Sequence, residues 1–240
     1  MFKICTYIFI STLFFSTNFA AAQSTINVPK NQYGIAVIGR EDNYLKIIVQ
    51  DDDQKMIQLD KMIPGIILDL RYATKNNFMH RRMYPANTDY TFLRKPAADS
   101  LYKVQLELNA HGLGLKIFDA YRPYSVTEKF WELIHDERYV ANPSKASNHN
   151  RGIAVDLTIV NLKTLVELNM GTGFDNFTDS AHQSFIGFPI DILQNREYLK
   201  SLMEKYGFTQ LETEWWHFTL KTKTTFDAMD LSFKSLRKME

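Results

Sequence analysis

A single carboxylate, Asp156, interrupts a nearly continuous apolar segment, residues 153–159. Such a segment predicts a buried strand, where an ionised carboxylate is costly unless it is paired or bound to a metal. His149 lies just before the strand, and Gly152 allows the close backbone approach that would bring its imidazole toward Asp156. Taken alone, these residues favour a structural His–Asp hydrogen bond.

A second short segment, residues 214–217 with the sequence Glu-Trp-Trp-His, changes this interpretation. The two tryptophans indicate a buried environment in which the flanking polar residues need partners. His217 can then act as a third ligand beside His149 and Asp156. Two histidines and one carboxylate with an open fourth position are typical of catalytic zinc, although the same set could hold Fe(II) in an oxygenase.

Glu214 is a candidate catalytic base, and its presence beside the ligands favours hydrolysis over oxygenation. Residues three apart share a face of a helix but not of an ideal strand, and the run 215–219 indicates a strand. We therefore place Glu214 at the start of this strand, off regular geometry, where it can reach water bound to the metal. It would take a proton from that water and later pass it to the leaving amine.

The hydrophobic pattern predicts an α+β fold. Helices are predicted at residues 96–111, 125–135 and 191–206, with Ser125 as N-cap of the second and Glu128 completing a capping box. Strands are predicted at residues 115–120, 152–160 and 215–220, and a β-ribbon at residues 33–49. Because these elements do not alternate regularly, we expect a single domain, residues 23–240, with a largely antiparallel sheet flanked by helices and the metal site at the sheet.

The first 22 residues have the features of a cleavable signal peptide. Lys3 gives a basic start, an apolar run covers residues 7–15, and three alanines at 20–22 would permit cleavage before Gln23. The apolar run is short for a bilayer, so we expect no membrane span after cleavage. The protein would then be exported, to the periplasm or outside the cell. Because the only cysteine, Cys5, lies in this leader, the mature chain would contain no thiol ligand.

The net charge of the chain argues against a nucleic-acid partner. The formal charge of the whole chain is +1, and loss of Lys3 with the leader would bring it to 0. A nucleic-acid-binding protein calls for a basic face, which such a balance does not favour. The sequence gives no indication of oligomeric state.

Further motifs accompany the two segments described above. They are Asp69-Leu70-Arg71-Tyr72-Ala73-Thr74, Asn76-Asn77-Phe78, Asp119-Ala120-Tyr121-Arg122-Pro123 and Met170-Gly171-Thr172-Gly173-Phe174-Asp175. With residues 147–158 and 214–217, they make the chain resemble the D-alanyl-D-alanine dipeptidase family of zinc peptidases (peptidase family M15) from about Ile66 to the C-terminal tail. Residues 23–61 lie outside this resemblance. The Ser-x-His-x6-Asp and Glu-x-x-His elements also occur in related D,D-carboxypeptidases and endolysins, whereas the others are more specific to the dipeptidases.

The resemblance implies a hedgehog/D,D-peptidase-like fold and a role for each matched residue. One zinc ion per chain would be bound by His149, Asp156 and His217, with Glu214 as the catalytic base. Arg122 would stabilise the oxyanion that forms at the scissile carbonyl, a task suited to a fixed guanidinium.

Three further residues would bind the substrate. Asp175 and Tyr72 would hold its free ammonium group, and Ser147 its carboxylate end. A buried Asp175 left without an ammonium partner is uncompensated, so peptides lacking a free amine there would bind poorly.

The implied activity is hydrolysis of the D-Ala-D-Ala dipeptide to D-alanine, in cell-wall turnover or in scavenging. One alternative is a D,D- or L,D-carboxypeptidase that trims peptidoglycan stem peptides, which an Asp175 far from the zinc site would favour. Another is a non-catalytic wall-binding module. The presence of both Glu214 and Arg122 argues against that module, because binding alone needs neither a base nor an oxyanion partner.

Overall fold

The computed structural model describes Ile26 and residues 28–240, so the predicted signal peptide lies outside the described residues. The strands are β1 Val37–Ile38, β2 Met56–Gln58, β3 Ile67–Leu68, β4 Phe92–Arg94, β5 Leu113–Asp119, β6 Ala154–Asn161, β7 Phe208–Leu211, β8 Glu214–Leu220 and β9 Ala228–Met229. The helices are α1 Glu41–Gln50, α2 Leu59–Met62, α3 Lys95–Asn109, α4 Tyr124–Leu133, α5 Ile190–Lys205 and α6 Phe233–Met239. Among the described residues, none of these helices is both long and apolar enough to cross a membrane.

The central element is a five-stranded sheet with the order β3-β5-β6-β8-β7. Strand β3 pairs with β5 in parallel, and the other three pairings are antiparallel. Two small two-stranded sheets, β1-β9 and β2-β4, lie apart from it. The predicted α+β class with a largely antiparallel sheet is confirmed.

Helices α3 and α5 cover one face of the central sheet. On β6, the fully buried Val155, Leu157 and Ile159 join the core that contains the apolar face of α3. Side chains alternate along a strand, so Asp156 points to the opposite face. A second, aromatic-rich cluster lies on the remaining side of the molecule and contains Tyr72 and Phe130. The cavity described below opens between these two cores.

Strand register places three polar residues in one row across the middle of the sheet. Asp156 on β6 is opposite His217 on β8 and Asp119 on β5. The β5–β6 register shifts between Ile117 and Asp119, so that β5 has one extra residue there. Such a bulge re-aims the side chains that follow it, and here it brings Asp119 to the same face as Asp156.

The predicted N-terminal β-ribbon is wrong. Only Val37–Ile38 is a strand, pairing in parallel with β9, and residues 41–50 form helix α1. The β-branched Ile47-Ile48-Val49 run suggested a strand, but Tyr44, Ile47 and Ile48 share a helical face that packs on the aromatic-rich cluster. Packing outweighs the local preference of these residues.

The capping box at the start of α4 is also wrong. Pro123 is the N-cap, and the helix already includes Tyr124 and Ser125. The Ser125 N–H donates to a carboxylate oxygen of Asp230 at 2.9 Å, so a distant side chain takes the place of the expected local cap. The remaining predicted helices and strands agree with the structure to within a few residues, the usual uncertainty of element ends.

Candidate active site

His149, Asp156 and His217 form a cluster whose potential ligand atoms all lie within 4.8 Å of one another, with His149 and Asp156 buried and His217 partly buried. The Nε2 atom of His149 is 3.1 Å from Nδ1 of His217, which is 2.9 Å from Oδ1 of Asp156. Two imidazole nitrogens and a carboxylate thus converge on one point. This donor set fits a zinc ion, whose usual ligands are imidazole and carboxylate.

The orientation of His149 is set by a backbone carbonyl. Its Nδ1 lies 2.7 Å from the carbonyl oxygen of Ala120, to which it can donate as N–H. That bond leaves Nε2 unprotonated and facing the cluster, the arrangement that metal-binding histidines usually have. Burial opposes ionisation of Asp156, but the neighbouring imidazoles hold the pKa of its carboxyl well below the usual range. The carboxylate of Asp156 is therefore ionised, the form that binds a cation.

Glu214 and His217 lie side by side despite their spacing of three along a strand. The β7–β8 register shifts so that Gln210 is opposite Phe218 but Leu211 is opposite Glu214. This irregularity breaks the strict alternation of β8, and Oε2 of Glu214 lies 3.8 Å from Nδ1 of His217. Glu214 therefore stands at the start of the strand and off regular geometry, as predicted. Burial raises the pKa of Glu214 to about 8, so the side chain is suited to exchanging protons near neutral pH.

Arg122 is held rigidly at the edge of the cluster. Its Nε and Nη2 atoms donate to Oδ2 of Asp119 at 2.9 and 2.7 Å. The guanidinium also lies over the rings of Phe130 and Tyr72, at 4.9 and 5.2 Å from their centroids. Its Nη2 atom is 4.0 Å from Oδ2 of Asp156, which places the positive charge next to the potential ligands. A fixed cation in this position can stabilise negative charge that develops in the cavity.

Asp119 is a functional candidate to which sequence reasoning assigned no role. It is fully buried, and its Oδ1 accepts hydrogen bonds from the Tyr84 hydroxyl at 2.5 Å and from the Ala120 N–H at 3.0 Å. With Oδ2 occupied by Arg122, both carboxylate oxygens are engaged. The available signal was an acid at the end of a buried strand three residues before an arginine.

We expect Asp119→Asn to lower the free energy of unfolding by about 2 kcal/mol, because Arg122 loses a buried, charge-assisted partner. Urea unfolding measures the change. Asp136→Asn is the matched control, since Asp136 pairs with Arg138 through similar hydrogen bonds on the surface, where such pairs contribute about 0–1 kcal/mol. An equal decrease in the free energy of unfolding in both variants would contradict the conclusion that the buried Asp119–Arg122 pair stabilises the fold more than the surface pair does.

Asp175 and Tyr72 meet on another wall of the cavity. The Tyr72 hydroxyl donates to Oδ1 of Asp175 at 3.0 Å, and the Phe78 N–H donates to Oδ2 at 3.2 Å. Asp175 has a left-handed backbone conformation, with φ of 59°, which is unusual for a residue other than glycine. Burial raises the pKa of its carboxyl to about 7.

Ser147 lies on the metal-cluster side of the cavity. Its Oγ accepts a hydrogen bond from the His149 N–H at 3.2 Å, and its own N–H donates to Oδ1 of Asn150 at 2.7 Å. The cavity has a volume of about 240 Å³. All of the site residues predicted from the sequence line it: Tyr72, Arg122, Ser147, His149, Asp156, Asp175, Glu214 and His217.

A cluster of two histidines and a carboxylate, with a glutamate and a clamped arginine beside it, defines a metallopeptidase-type site on an α+β sheet. The family model described as D-ala-D-ala dipeptidase, peptidase M15, matches residues 52–235. The chain belongs to this family. Peptidases of the family are zinc enzymes, and the His149, Asp156 and His217 cluster fits that ion.

Similar proteins carry the same description. The chain is 31% identical to a D-alanyl-D-alanine dipeptidase of Escherichia coli over 74% of this chain and 91% of that protein. It is 32% identical to one of Enterococcus faecalis over 68% of this chain and 89% of that protein. A solved LD-carboxypeptidase structure, LdcB, aligns with 19% identity and a TM-score of 0.41, covering 82% of this chain and 85% of that one.

Proposed function

We propose that this chain hydrolyses the D-Ala-D-Ala dipeptide to two molecules of D-alanine. The observation that carries the proposal is that one cavity of about 240 Å³ contains both the hydrolytic cluster and Asp175, a carboxylate held by Tyr72. So small a space suits a dipeptide. An acidic group on the wall suits a substrate with a free ammonium. The D-alanyl-D-alanine dipeptidases among the relatives support the same substrate.

The side chains divide the work of binding. Asp175 and the Tyr72 hydroxyl hold the substrate ammonium, and the Ser147 hydroxyl holds the terminal carboxylate. The scissile carbonyl then lies between these ends, where Arg122 stabilises the negative charge that develops on its oxygen. His149, Asp156 and His217 would hold the zinc ion, which as a Lewis acid polarises the carbonyl and lowers the pKa of bound water to about 7.

Glu214 moves the protons. As a base it removes a proton from the attacking water, whose oxygen forms the new bond to the carbonyl carbon. The C–N bond then breaks, and the protonated Glu214 gives that proton to the departing nitrogen. The products are two D-alanine molecules, and Glu214 returns to its starting state.

Asp175 predicts how binding depends on pH. As pH falls through about 7, its carboxyl gains a proton and no longer attracts the substrate ammonium, which stays charged because its own pKa is about 8. We therefore expect the KM for D-Ala-D-Ala to rise as pH falls. Asp175→Asn should raise KM about ten- to a hundredfold above neutral pH and remove the dependence. A pH profile of KM for both proteins checks this, and an unchanged profile in the variant would refute the assignment.

Product analysis with three substrates tests the proposed function. The purified protein is incubated with D-Ala-D-Ala, L-Ala-L-Ala and a stem pentapeptide, each with and without a chelator. We expect free alanine to be released from D-Ala-D-Ala alone, and none in the chelator arm. Release of D-alanine mainly from the pentapeptide would support a D,D-carboxypeptidase instead. No product from any of them, in protein loaded with zinc, would support a wall-binding module.

We propose that the protein works outside the cytoplasm, most simply in the periplasm, in cell-wall turnover or in scavenging. The basic start, apolar run and small residues of the first 22 positions support export. Cell fractionation with mass spectrometry of the protein's N-terminus tests this. A mature chain that begins at Gln23 in the periplasmic fraction is expected, and an intact cytoplasmic chain would overturn the proposal.

A further inference from the structure

Arg196 is a buried cation that binds only backbone carbonyls. It lies on α5 and is 2% exposed. Its Nε donates to the Met170 carbonyl at 2.8 Å, Nη2 to that of Ser180 at 2.9 Å and Nη1 to that of His182 at 3.0 Å. Burial lowers the pKa of its guanidinium to about 10, so the group stays charged at neutral pH. Among the described residues, no acidic side chain pairs with it.

The three carbonyls lie at the two ends of one chain segment, residues 170–182. Asp175 lies near its middle. Apart from a short 3-10 turn at Asp179–Ala181, the segment has no helix or strand of its own to fix its shape. Asp175 also has the left-handed conformation described above. Aspartate adopts this conformation more readily than most residues, and contacts with the surrounding structure offset its remaining cost.

Close packing fixes the guanidinium itself. The ring of Phe188 lies 4.8 Å from the Arg196 guanidinium carbon. A side chain on Gly171 would meet that ring at 2.6 Å, so the segment and the ring are in direct contact. The planar fork of arginine can bind three carbonyls in fixed directions, which the single ammonium of lysine cannot do. Arg196 thus joins both ends of the segment to α5.

We propose that Arg196 is a positioning residue for substrate recognition: it closes segment 170–182 into the loop that presents Asp175 to the substrate ammonium. This inference rests on the proposed function, in which Asp175 binds that group. Arg196 acts through Asp175 and does not touch the substrate. Its loss should therefore weaken binding more than it slows the chemical step.

Kinetics of Arg196→Gln test the inference against a matched control. We expect the KM for D-Ala-D-Ala to rise about tenfold or more, the cost of a slightly misplaced binding group, with kcat changed less than about threefold and zinc content unchanged. Arg94→Gln is the control. Arg94 is equally buried and also binds three carbonyls, those of Gln54, Arg151 and Asp227, all outside segment 170–182. An equal rise of KM in both variants would overturn the proposal, as would a loss confined to kcat.

A double-mutant cycle separates a specific effect from general damage. If Arg196 acts through Asp175, Arg196→Gln should add little to KM when Asp175→Asn is already present, because interacting residues are not additive. If the fold-change of KM in the double variant equals the product of the fold-changes in the two single variants, the residues act independently and the inference is contradicted.

Amide hydrogen exchange supplies a measurement that does not depend on turnover. In Arg196→Gln, amides of residues 171–179 should exchange faster, while those of β6 stay as slow as in the wild type. If the glutamine variant does not fold, Arg196→Lys, which keeps the charge but places its donors on a single nitrogen, should show the same pattern to a smaller degree. Unchanged exchange in segment 171–179 of the folded variant would overturn the proposal. A wild-type protein that does not cleave D-Ala-D-Ala, with faster exchange in the variant, would instead refute the proposed function and leave the loop-closing role of Arg196 supported.

Discussion

Glu214→Gln is expected to lower kcat for D-Ala-D-Ala by about 10²–10⁴-fold, the usual contribution of a general acid–base residue. Glutamine keeps the size and the burial of Glu214 but cannot accept and return a proton. The potential ligands His149, Asp156 and His217 are untouched, so zinc content should be unchanged. Steady-state kinetics with metal analysis of the same preparation measures both quantities.

The neighbouring Glu212 provides the control. It is exposed in the turn between β7 and β8 and accepts a hydrogen bond from the Ser184 N–H at 3.0 Å. Glu212→Gln removes the same charge two residues away and should leave kcat within about twofold, as expected of a surface change. Substantial turnover by zinc-loaded Glu214→Gln would show that another group acts as the base.

The proximity of Glu214 to His217 shows which part of the site could be predicted from the sequence and which part could not. Residue types alone indicated that both belong to one site, yet their spacing does not fit a regular strand. A register shift between β7 and β8 brings the two side chains together, and this shift depends on how the two strands pair in the sheet. No pattern within either strand encodes that shift. The same holds for Asp119, which a second shift, between β5 and β6, turns toward Arg122.

Helix α1 shows the opposite case, in which the local pattern was misleading. Its β-branched residues favour a strand when read alone, and a polar turn at residues 40–43 was expected just before that strand, in the middle of the predicted ribbon. Instead, Glu41 and Asp42 form the first helical turn, where acidic side chains complement the helix dipole. Tyr44 is buried against a cluster built largely from later parts of the chain. Contacts of such long range are absent from any short stretch of sequence.

Arg196 remained unnoticed for a related reason. An arginine in an amphipathic helix with polar neighbours is usually on the surface. Its three acceptors are backbone carbonyls, which every residue carries and which therefore leave no trace in the sequence. Residues that bind substrate or metal are recognisable by their chemistry, whereas residues that hold the backbone in place need the fold.

Arg122→Ala is expected to lower kcat by about 10²–10³-fold with little change in KM, as for the loss of one oxyanion-stabilising donor. The reason is geometric: the Asp119 carboxylate and the Phe130 and Tyr72 rings hold the guanidinium in one place. The positive charge therefore needs no rearrangement when charge develops on the substrate. Steady-state kinetics on D-Ala-D-Ala, with kcat and KM determined separately, is the measurement.

Removal of Arg122 also leaves the buried Asp119 without its cation, so damage to the fold must be told apart from damage to catalysis. Arg122→Lys keeps the charge, but a single ammonium cannot make the paired bonds to Asp119 that fix its direction, so kcat should lie between those of Arg122→Ala and the wild type. Arg138→Ala is the matched control, because Arg138 also lines the cavity but is exposed and paired with Asp136, and its loss should leave kcat nearly unchanged. A rise in KM at constant kcat in Arg122→Ala would make Arg122 a binding residue. A fall in kcat at constant KM would instead show that Arg122 stabilises the transition state. The pairing with Asp119 that fixes the guanidinium would then serve the reaction as well as the fold.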